Sequence, residues 1–400
     1  MDLLLFTSQY PYGSKAEIFI ENEITYLSEA FEKVYVFPSE KIDGVRQVPG
    51  NVIVVDLLNT RKYRGNIFKD FTPVLSILFK ELIKGNLFNK KHKETVSRLL
   101  YLFFKSYELE DWLTRIDANN SIFYTYWFYG WTTVLSVLKK KGVIRSFISR
   151  AHGFDLYEER NETGIIPFRR FQLENISKLF LVSKNGLEYI SRKYPGYKHK
   201  YEVSYLGTPD RGLSVYSPDD TIRILSVSGI TKVKRVHLIT EVLKNVTRDV
   251  IWTHFGDGDL FNDVKREADL LPENITVQFM GMVPNDRMME FIKNNHFDVF
   301  LNLSESEGLP VSIMEALSLG IPVFATDVGG TKEIVNERTG KLFPQKFDIK
   351  ELLNEISNVK DSRYSTIEFR EGVREYWEEN LNAGINYKKF IDRVIIIANE

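Results

Sequence analysis

The sequence predicts an α/β protein of two domains, each built around a parallel sheet, and three observations lead to this prediction. Short apolar runs alternate with longer segments of helical periodicity along most of the chain, as in successive βα units. The 400 residues exceed what a single hydrophobic core usually supports. A loop-rich stretch interrupts the alternation near the middle. We therefore expect an N-terminal domain over 1–205, a linker over 206–220 and a C-terminal domain over 221–380.

Eleven apolar runs are predicted as strands, six before the linker and five after it. These runs are Leu3–Phe6, Val34–Phe37, Val52–Val55, Ile122–Tyr126, Phe147–Ile148, Leu179–Val182, Ile222–Val227, Val250–Phe255, Ile275–Phe279, Val299–Leu303 and Val323–Ala325. The end of the chain, about Ser365–Ile396, has helical periodicity and no further strand pattern. We expect its last helix, over 381–400, to pack back on the N-terminal domain.

The composition excludes several classes of protein. The 53 basic and 54 acidic side chains leave a net charge of −1, whereas nucleic-acid binders usually carry a large basic excess. The absence of cysteine excludes disulfides and thiolate metal sites and fits a reducing compartment. No apolar run approaches the ~18 residues of a membrane span, and the first residues lack the basic leader of a signal peptide. We expect a cytoplasmic protein with no nucleic-acid partner.

The block over 66–107 combines long helical patterns with an excess of positive charge. Its eight basic residues are Lys69, Lys80, Lys84, Lys90, Lys91, Lys93, Arg98 and Lys105, against three acidic residues. One interpretation is a basic amphipathic surface that lies on an anionic membrane, which would make the protein peripheral at the inner face of the cell membrane. The other is a set of ordinary helices that cover a sheet and keep their lysines in water.

Two carboxylates, Glu307 and Glu315, bracket a Gly-Leu-Pro turn that opens a predicted helix over 310–319. Pro310 suits the first helical position, and Gly320 suits the left-handed residue that ends a helix. The free N–H groups of the first helical turn would form an anion site. Carboxylates beside an anion site favour a ligand that carries both phosphates and hydroxyls, and a nucleotide sugar is such a ligand.

His152 is a second candidate, because it follows the predicted strand Phe147–Ile148 and so lies where open α/β sheets bind ligands. Gly153 leaves room for a ligand to approach closely. Asp155 could orient the imidazole or cap the next helix. A purely structural histidine is the other interpretation.

A third candidate is the loop after the strand Ile222–Val227, in which Gly229 precedes Lys232, Lys234 and Arg235. Cations that converge on the carboxyl end of a strand suit a diphosphate. The alternative is a solvated run of charge, and the sequence leaves both possibilities open.

Two further loops are ambiguous. Gly329 and Gly330 precede a predicted helix, so their backbone could pass close to a ligand, although a plain turn would need none. Asp257 and Asp259 are spaced as in metal-binding Asp-x-Asp pairs, but they follow a strand and are better interpreted as a turn.

The run from Glu305 to Val335 resembles the retaining glycosyltransferases of family 4, which have the GT-B fold. The segments His152–Asp155 and Gly256–Gly258, the Lys234 loop and Gly281 follow in the order expected of that family. The resemblance is weaker over 1–140. It implies two Rossmann-like parallel-sheet domains that face each other across a cleft, with a C-terminal helix crossing back. The N-terminal domain would bind the acceptor and the C-terminal domain the nucleotide-sugar donor.

The resemblance also implies roles for single residues. Glu315 would bind the ribose hydroxyls, Glu307 would contact the transferred sugar, and His152 would lie beside the anomeric carbon. Lys234 would neutralise the diphosphate as it leaves. The other residues implied in donor binding are Gly308, Leu309, Pro310 and Val311 at the sugar and distal phosphate, Met282 and Val283 at the base, and Gly229 and Lys232 near the diphosphate. The family's usual arginine is replaced here by Gly229, and Lys232 is a candidate substitute for it.

The function implied is transfer of a hexose-type sugar, with retention and without a metal, from a UDP- or GDP-sugar to a saccharide or lipid-linked acceptor. Cell-surface polysaccharide biosynthesis would be the context, and no cofactor is implied. One alternative is another enzyme of the same fold, an epimerase or a phosphorylase. A second is a non-catalytic GT-B subunit that binds an acceptor or a partner glycosyltransferase, which the missing arginine would favour.

Overall fold

The computed structural model describes residues 1–13, 17, 19–57, 92–161 and 164–399. The chain forms two compact units. The first unit comprises Met1–Val182, Gly186–Ser204 and Tyr387–Glu400, and the second comprises Ser183–Asn185 and Tyr205–Asn386. Most of the basic block predicted over 66–107 lies outside the described residues.

The first unit is built on a parallel sheet of seven strands in the order β3-β2-β1-β4-β5-β6-β7. Its strands are β1 (Asp2–Thr7), β2 (Val34–Pro38), β3 (Val52–Val54), β4 (Ser121–Thr125), β5 (Ile148–Ala151), β6 (Lys178–Leu181) and β7 (Tyr201–Val203). The helices that begin in this part of the chain are α1 (Ile20–Ala30), α2 (His92–Leu113), α3 (Gly130–Lys140), α4 (Arg169–Asn175) and α5 (Lys184–Lys193).

Both faces of this sheet are buried, as expected for parallel strands. Along β1, Leu4 and Phe6 enter one core, whereas Leu3 and Leu5 enter the other, because successive side chains point to opposite faces. The second of these cores is completed by four residues from the end of the chain. They are Phe390, Ile391, Val394 and Ile397. The last helix therefore packs on the first unit, as predicted.

The second unit has a parallel sheet of six strands in the order β10-β9-β8-β11-β12-β13. Its strands are β8 (Ile222–Val227), β9 (Val250–Phe255), β10 (Ile275–Gly281), β11 (Val299–Asn302), β12 (Val323–Thr326) and β13 (Gly340–Phe343). The remaining helices are α6 (His237–Leu243), α7 (Phe261–Ala268), α8 (Asn285–Lys293), α9 (Val311–Ser318), α10 (Ile349–Ser357), α11 (Ile367–Leu381) and α12 (Ala383–Asn399).

Both strand orders reverse direction at one point. In the first sheet β1 lies between β2 and β4, and in the second β8 lies between β9 and β11. The loops that leave the carboxyl ends of the two strands at such a point diverge and open a crevice, where ligands of open α/β sheets bind. The loops after β1 and β4, and those after β8 and β11, are therefore the places where a site is expected.

The predicted α/β class with two parallel sheets is confirmed, and each of the eleven predicted strands corresponds to an observed one. The strands β7 and β13 were missed. β7 has only three residues and follows a turn rich in lysine, and β13 opens with Gly340 and continues with a charged Lys341. Neither segment shows the apolar run by which the other strands were found.

Candidate functional site

In the second unit, the loops at the reversal point bring Lys234 and Glu307 together. The Lys234 Nζ donates a hydrogen bond to Glu307 Oε1 at 2.6 Å, and Asn302 Nδ2 donates to the same oxygen at 3.3 Å. Glu307 is 7% exposed, so its carboxylate lies within the protein. A small cavity beside this pair is lined by Ser226, Val227, Ser228, Val236, Ile239, Leu301, Leu303 and Ser304, as well as by Lys234 and Asn302. The sequence placed Lys234 and Glu307 in loops that follow strands, at one edge of the sheet, and in the structure the two side chains are in contact.

The other two cations of the Lys234 loop have different surroundings. Lys232 is exposed to solvent. Arg235 has a positive φ of 48° and donates to the carbonyls of Leu303, Ser304 and Gln345 at 2.6–3.1 Å. Burial lowers the pKa of Arg235. The Arg235 guanidinium thus holds the loop after β11 in place. Of the three cations that were expected to cluster, Lys234 alone forms the ion pair with Glu307.

Gly229 lies between two residues, Ser228 and Ile230, that the loop after β9 approaches closely. A Cβ on Gly256 would lie 1.9 Å from the Ser228 carbonyl oxygen, and one on Gly258 would lie 2.6 Å from that of Ile230. On Gly229 itself the nearest atom would be the Asp257 carbonyl oxygen at 3.5 Å, an ordinary contact. Gly256 and Gly258 therefore allow the loops after β8 and β9 to approach each other closely. Asp257 accepts the N–H of Gly258 at 2.7 Å, which agrees with its interpretation as a turn residue.

The loop that carries Glu307 continues into α9, which runs from Val311 to Ser318 rather than over 310–319. Pro310 precedes the helix and no side chain caps it, so its first-turn N–H groups have no side-chain acceptor. Leu309 is buried, and Gly308 accepts a hydrogen bond from the Gly330 N–H at 2.7 Å. These residues form the turn that was predicted to bind an anion, and anion binding itself stays a prediction.

The glycine pair Gly329–Gly330 has a structural role. A Cβ on Gly329 would lie 2.0 Å from the Glu307 carbonyl oxygen, and one on Gly330 would lie 2.6 Å from that of Gly308. The space left by the missing side chains is therefore filled by the main chain of the Glu307 loop. Of the two interpretations of this glycine pair, the close approach of the neighbouring loop favours the plain turn.

Glu315 lies on α9 and accepts a hydrogen bond from Asn285 Nδ2 at 2.8 Å. Burial raises the pKa of Glu315 to about 7, and the hydrogen bond from Asn285 and the charge of Arg211 oppose this rise. Asn285 begins α8, directly after the loop that contains Met282 and Val283. Met282 is 50% exposed and Val283 is partly buried. The predicted base-contacting segment and the predicted ribose-binding carboxylate are thus joined through Asn285.

In the first unit, His152 follows β5 directly. Its ring packs between Tyr126 and Trp127, with centroids 4.7 and 4.6 Å away. Asp155 accepts the backbone N–H groups of His152 and Gly153 at 2.9 and 3.0 Å, and its Oδ2 lies 3.5 Å from His152 Nδ1. Although burial opposes it, these contacts lower the pKa of Asp155. Both imidazole nitrogens are buried, and neither has a hydrogen-bond partner among the described residues.

The sequence analysis missed Asn285, Asn302 and Trp127. Asn302 is a polar residue at the end of an otherwise apolar strand, and Trp127 directly follows residues predicted as a strand. Both positions could therefore have been recognised in the sequence as candidates for the carboxyl end of a strand. Asn285 carried none, since its contact with Glu315 joins residues 30 positions apart in sequence.

The described end of the basic block contributes little charge to a surface. Lys105 is 4% exposed, donates to the Ser39 carbonyl at 3.1 Å and lies 4.5 Å from the centre of the Trp131 ring. Burial lowers its pKa to about 8. Arg98 donates to the Tyr129 hydroxyl at 2.6 Å. Among the helices that the structure describes, none is both long and apolar enough to cross a membrane.

Two parallel sheets that each reverse their strand order, with charged loops at the carboxyl ends of their strands, define the GT-B class of proteins. The fold is similar to that of HepE from Anabaena, whose crystal structure holds UDP and glucose. The TM-score is 0.69 and the identity 14%, and the match covers 98% of this chain and 99% of HepE. At 14% identity, the similarity to HepE is evidence for the fold alone.

Residues 214–380 match the family described as glycosyl transferases group 1. The chain is 27% identical over 233 residues to an uncharacterized glycosyltransferase, MJ1178, of Methanocaldococcus jannaschii, covering 57% of this chain and 63% of the relative. It is 25% identical over 154 residues to an Escherichia coli UDP-Gal:α-D-GlcNAc-diphosphoundecaprenol α-1,3-galactosyltransferase, covering 38% and 37%. The chain thus matches less than two thirds of the length of these relatives.

Proposed function

We propose that this protein is a retaining glycosyltransferase that moves a hexose-type sugar from a UDP- or GDP-sugar to a saccharide or lipid-linked acceptor, without a metal. The observation that supports the proposal most is the contact between Lys234 and Glu307 at the reversal point of the second sheet. It lies in the segment that matches the glycosyl transferases group 1 family. A cation and a carboxylate at the start of α9 suit a ligand with both phosphates and hydroxyls.

The donor would be bound by the second unit. Glu315 would accept hydrogen bonds from the ribose hydroxyls, with Asn285 holding its carboxylate in place, and Met282 and Val283 would border the base. The diphosphate would receive the first-turn N–H groups of α9 and the Lys234 ammonium. The N–H groups would need little reorganisation, because the backbone of α9 holds them, whereas Lys234 would have to exchange Glu307 for the diphosphate.

The chemical step breaks the bond between the anomeric carbon and the distal phosphate oxygen and forms one to the acceptor hydroxyl oxygen. The hydroxyl proton passes to the departing phosphate, and the products are a glycoside and a nucleoside diphosphate. Attack from the face of departure retains the configuration. Lys234 and the helix N-terminus would stabilise the negative charge that develops on the diphosphate. Glu307 would hold the sugar hydroxyls.

The acceptor is proposed to be a saccharide, either free or linked to a lipid, in cell-surface polysaccharide biosynthesis. The E. coli relative is named for a diphosphoundecaprenol-linked sugar, which supports the lipid-linked form. A lipid-linked acceptor would place the reaction at the cytoplasmic face of a membrane. Co-sedimentation with vesicles that contain phosphatidylglycerol tests this location. Binding by the wild type, lost when Lys90, Lys91 and Lys93 become glutamate, supports it, and a protein that stays in the supernatant contradicts it.

The decisive experiment measures release of nucleoside diphosphate from a panel of UDP- and GDP-sugars by the purified protein. Turnover of one donor, unaffected by EDTA, supports a metal-independent transferase, and the anomeric coupling constant of the product reports retention. Gly229 in place of the family's usual arginine favours one other candidate, a non-catalytic subunit. That candidate predicts no turnover of any donor, even at a high protein concentration.

A further inference from the structure

The first unit exposes a group of aromatic side chains beside His152. We name Trp127, Tyr129 and Phe154 the aromatic platform. Phe154 is 45% exposed, and Trp127 and Tyr129 are half-buried. The Phe154 ring lies 4.8 Å from that of Trp127 and 5.9 Å from that of Tyr129, measured between centroids. An exposed phenylalanine held between two other rings is pre-organised, because it has little side-chain freedom left to lose when a ligand binds.

The platform lies where a ligand of this sheet is expected. Trp127 and Tyr129 follow β4, one of the two strands at the reversal point, and Phe154 follows the neighbouring strand β5. The Trp127 ring also packs against the His152 imidazole, with centroids 4.6 Å apart. A ligand that covers Phe154 and Trp127 would therefore reach the immediate neighbourhood of His152.

Two guanidinium groups lie near the platform. Arg98 lies over the Tyr129 ring, 4.1 Å from its centre, and donates to the Tyr129 hydroxyl at 2.6 Å. Arg160 lies over the Tyr157 ring at 4.1 Å and approaches Gly153, with Nη1 3.1 Å from where a Cβ would lie. Flat apolar faces edged by hydrogen-bond donors suit a ligand whose faces are apolar and whose rim is polar.

We propose that the aromatic platform binds a pyranose ring of the acceptor, which stacks one face on Phe154 and Trp127. This inference rests on the proposed function and adds the position of the acceptor. The C–H groups on a pyranose face carry partial positive charge and meet the negative face of an aromatic ring, while the ring hydroxyls lie at the rim near Arg98 and Arg160. An acyl chain would leave both guanidinium groups without a role, so a sugar ring fits better than a lipid tail.

Saturation-transfer difference NMR tests the binding directly, with the methyl glycosides of glucose, galactose, mannose and N-acetylglucosamine as probes. We expect transfer to the ring protons of one sugar face for at least one glycoside. The signal should be lost in Phe154→Ala and kept in Phe154→Tyr. The matched control is Ile53→Ala, since Ile53 is similarly exposed, at 42%, on a distant edge strand of the same unit. Equal signals in the wild type and Phe154→Ala, or none with any glycoside, would overturn the proposal.

Kinetics separates this inference from the proposed function. Phe154→Ala should raise the acceptor KM about tenfold with little change in kcat, since stacking binds the ground state and the transition state alike. Hydrolysis of the donor and UDP or GDP affinity should stay at wild-type values. An unchanged acceptor KM in an active Phe154→Ala enzyme would overturn the platform alone. Absence of donor turnover in the wild type would instead contradict the proposed function.

Discussion

Lys234 and Glu307 form an ion pair at 2.6 Å, although 73 positions separate them in the sequence. In the proposed function these side chains contact different parts of the donor. Lys234 contacts the diphosphate, and Glu307 contacts the sugar. The two charges neutralise each other in the structure, so a bound diphosphate must compete with Glu307 for the ammonium. Asn302 remains hydrogen-bonded to Glu307 and can hold the carboxylate in place when Lys234 turns to the phosphate.

Lys234→Ala should lower donor turnover by about 100-fold or more, because removal of one fixed group that stabilises developing charge typically costs this much. The measurement is the initial rate of nucleoside diphosphate release. Lys244→Ala is the control, since this lysine is exposed at the end of α6 and has no proposed part in donor binding, and we expect its rate to stay within about twofold of wild type. A Lys234→Ala enzyme of nearly normal activity would show that the diphosphate lies elsewhere.

The two carboxylates should separate binding from turnover. Glu315→Gln should weaken UDP or GDP affinity by roughly 10- to 100-fold, because a hydrogen bond to an ionised group typically contributes about 1.5–3 kcal/mol. Glu307→Gln should lower turnover and leave affinity unchanged or tighter, since it frees Lys234 from its ion pair. Isothermal titration calorimetry and initial rates measure the two effects. If instead Glu307→Gln weakened nucleotide affinity and Glu315→Gln lowered turnover alone, the roles proposed for the two residues would have to be exchanged.

The raised pKa of Glu315 gives a pH-dependent stability. The pKa of Glu315 is about 7 in the folded protein, whereas the ordinary value for a glutamate is 4.5. The unfolded chain therefore releases this proton first as the pH rises. Ionisation of Glu315 therefore costs stability progressively between these two values, and the full cost is present above about pH 7. The cost is at most roughly 3 kcal/mol.

Glu315→Gln removes this cost, so its Tm should exceed that of the wild type at about pH 8 and approach it at about pH 4, where the Glu315 carboxyl is largely neutral in both the folded and the unfolded protein. Differential scanning calorimetry at the two pH values measures the difference. If the difference between the variant and the wild type is the same at both, Glu315 does not titrate in this range. A variant that is more stable but binds nucleotide worse would show that the carboxylate is kept for function.

Gly329→Ala should destabilise the protein by roughly 1–3 kcal/mol and lower turnover, because its Cβ would meet the Glu307 carbonyl oxygen and its φ is +57°. Gly372→Ala is a suitable control. It lies within α11, a Cβ there meets nothing within 4 Å, and alanine in a helix should add roughly 0.5–1 kcal/mol. Thermal unfolding and initial rates measure both variants. Wild-type turnover in Gly329→Ala would mean that the loop shifts without moving the Glu307 carboxylate.

Much of the fold could be predicted because each strand and helix is encoded by nearby residues. The strands Ile222–Val227 and Val250–Phe255 were located to the residue, since both are apolar runs bounded by turn residues. The helix α9 was predicted within one residue at each end, because Pro310 and Gly320 mark its limits. Short or polar strands such as β7 and β13 lack such a signal, since they are defined by hydrogen bonds to a neighbouring strand.

The candidate site was predictable as a set of residues and not as a set of contacts. Local sequence placed Lys234, Glu307 and His152 in loops after strands, and the parallel order placed the first two at one edge. It could not show that Arg235 fastens the loop after β11, or that Gly329 and Gly330 make room for the Glu307 main chain. Each of these contacts joins segments 20 or more positions apart, so neither segment alone carries the information.

The α/β class, the two-part organisation and the Glu307–Glu315 segment could be predicted from local sequence, because periodicity, turn residues and charge spacing act over a few positions. Which charges meet and which side chains are buried became visible in the folded chain. Folding paired Lys234 with Glu307, raised the pKa of Glu315 through burial beside Asn285, and assembled the aromatic platform from the loops after two strands. These properties depend on distance and on exclusion of water, which arise when remote segments pack together.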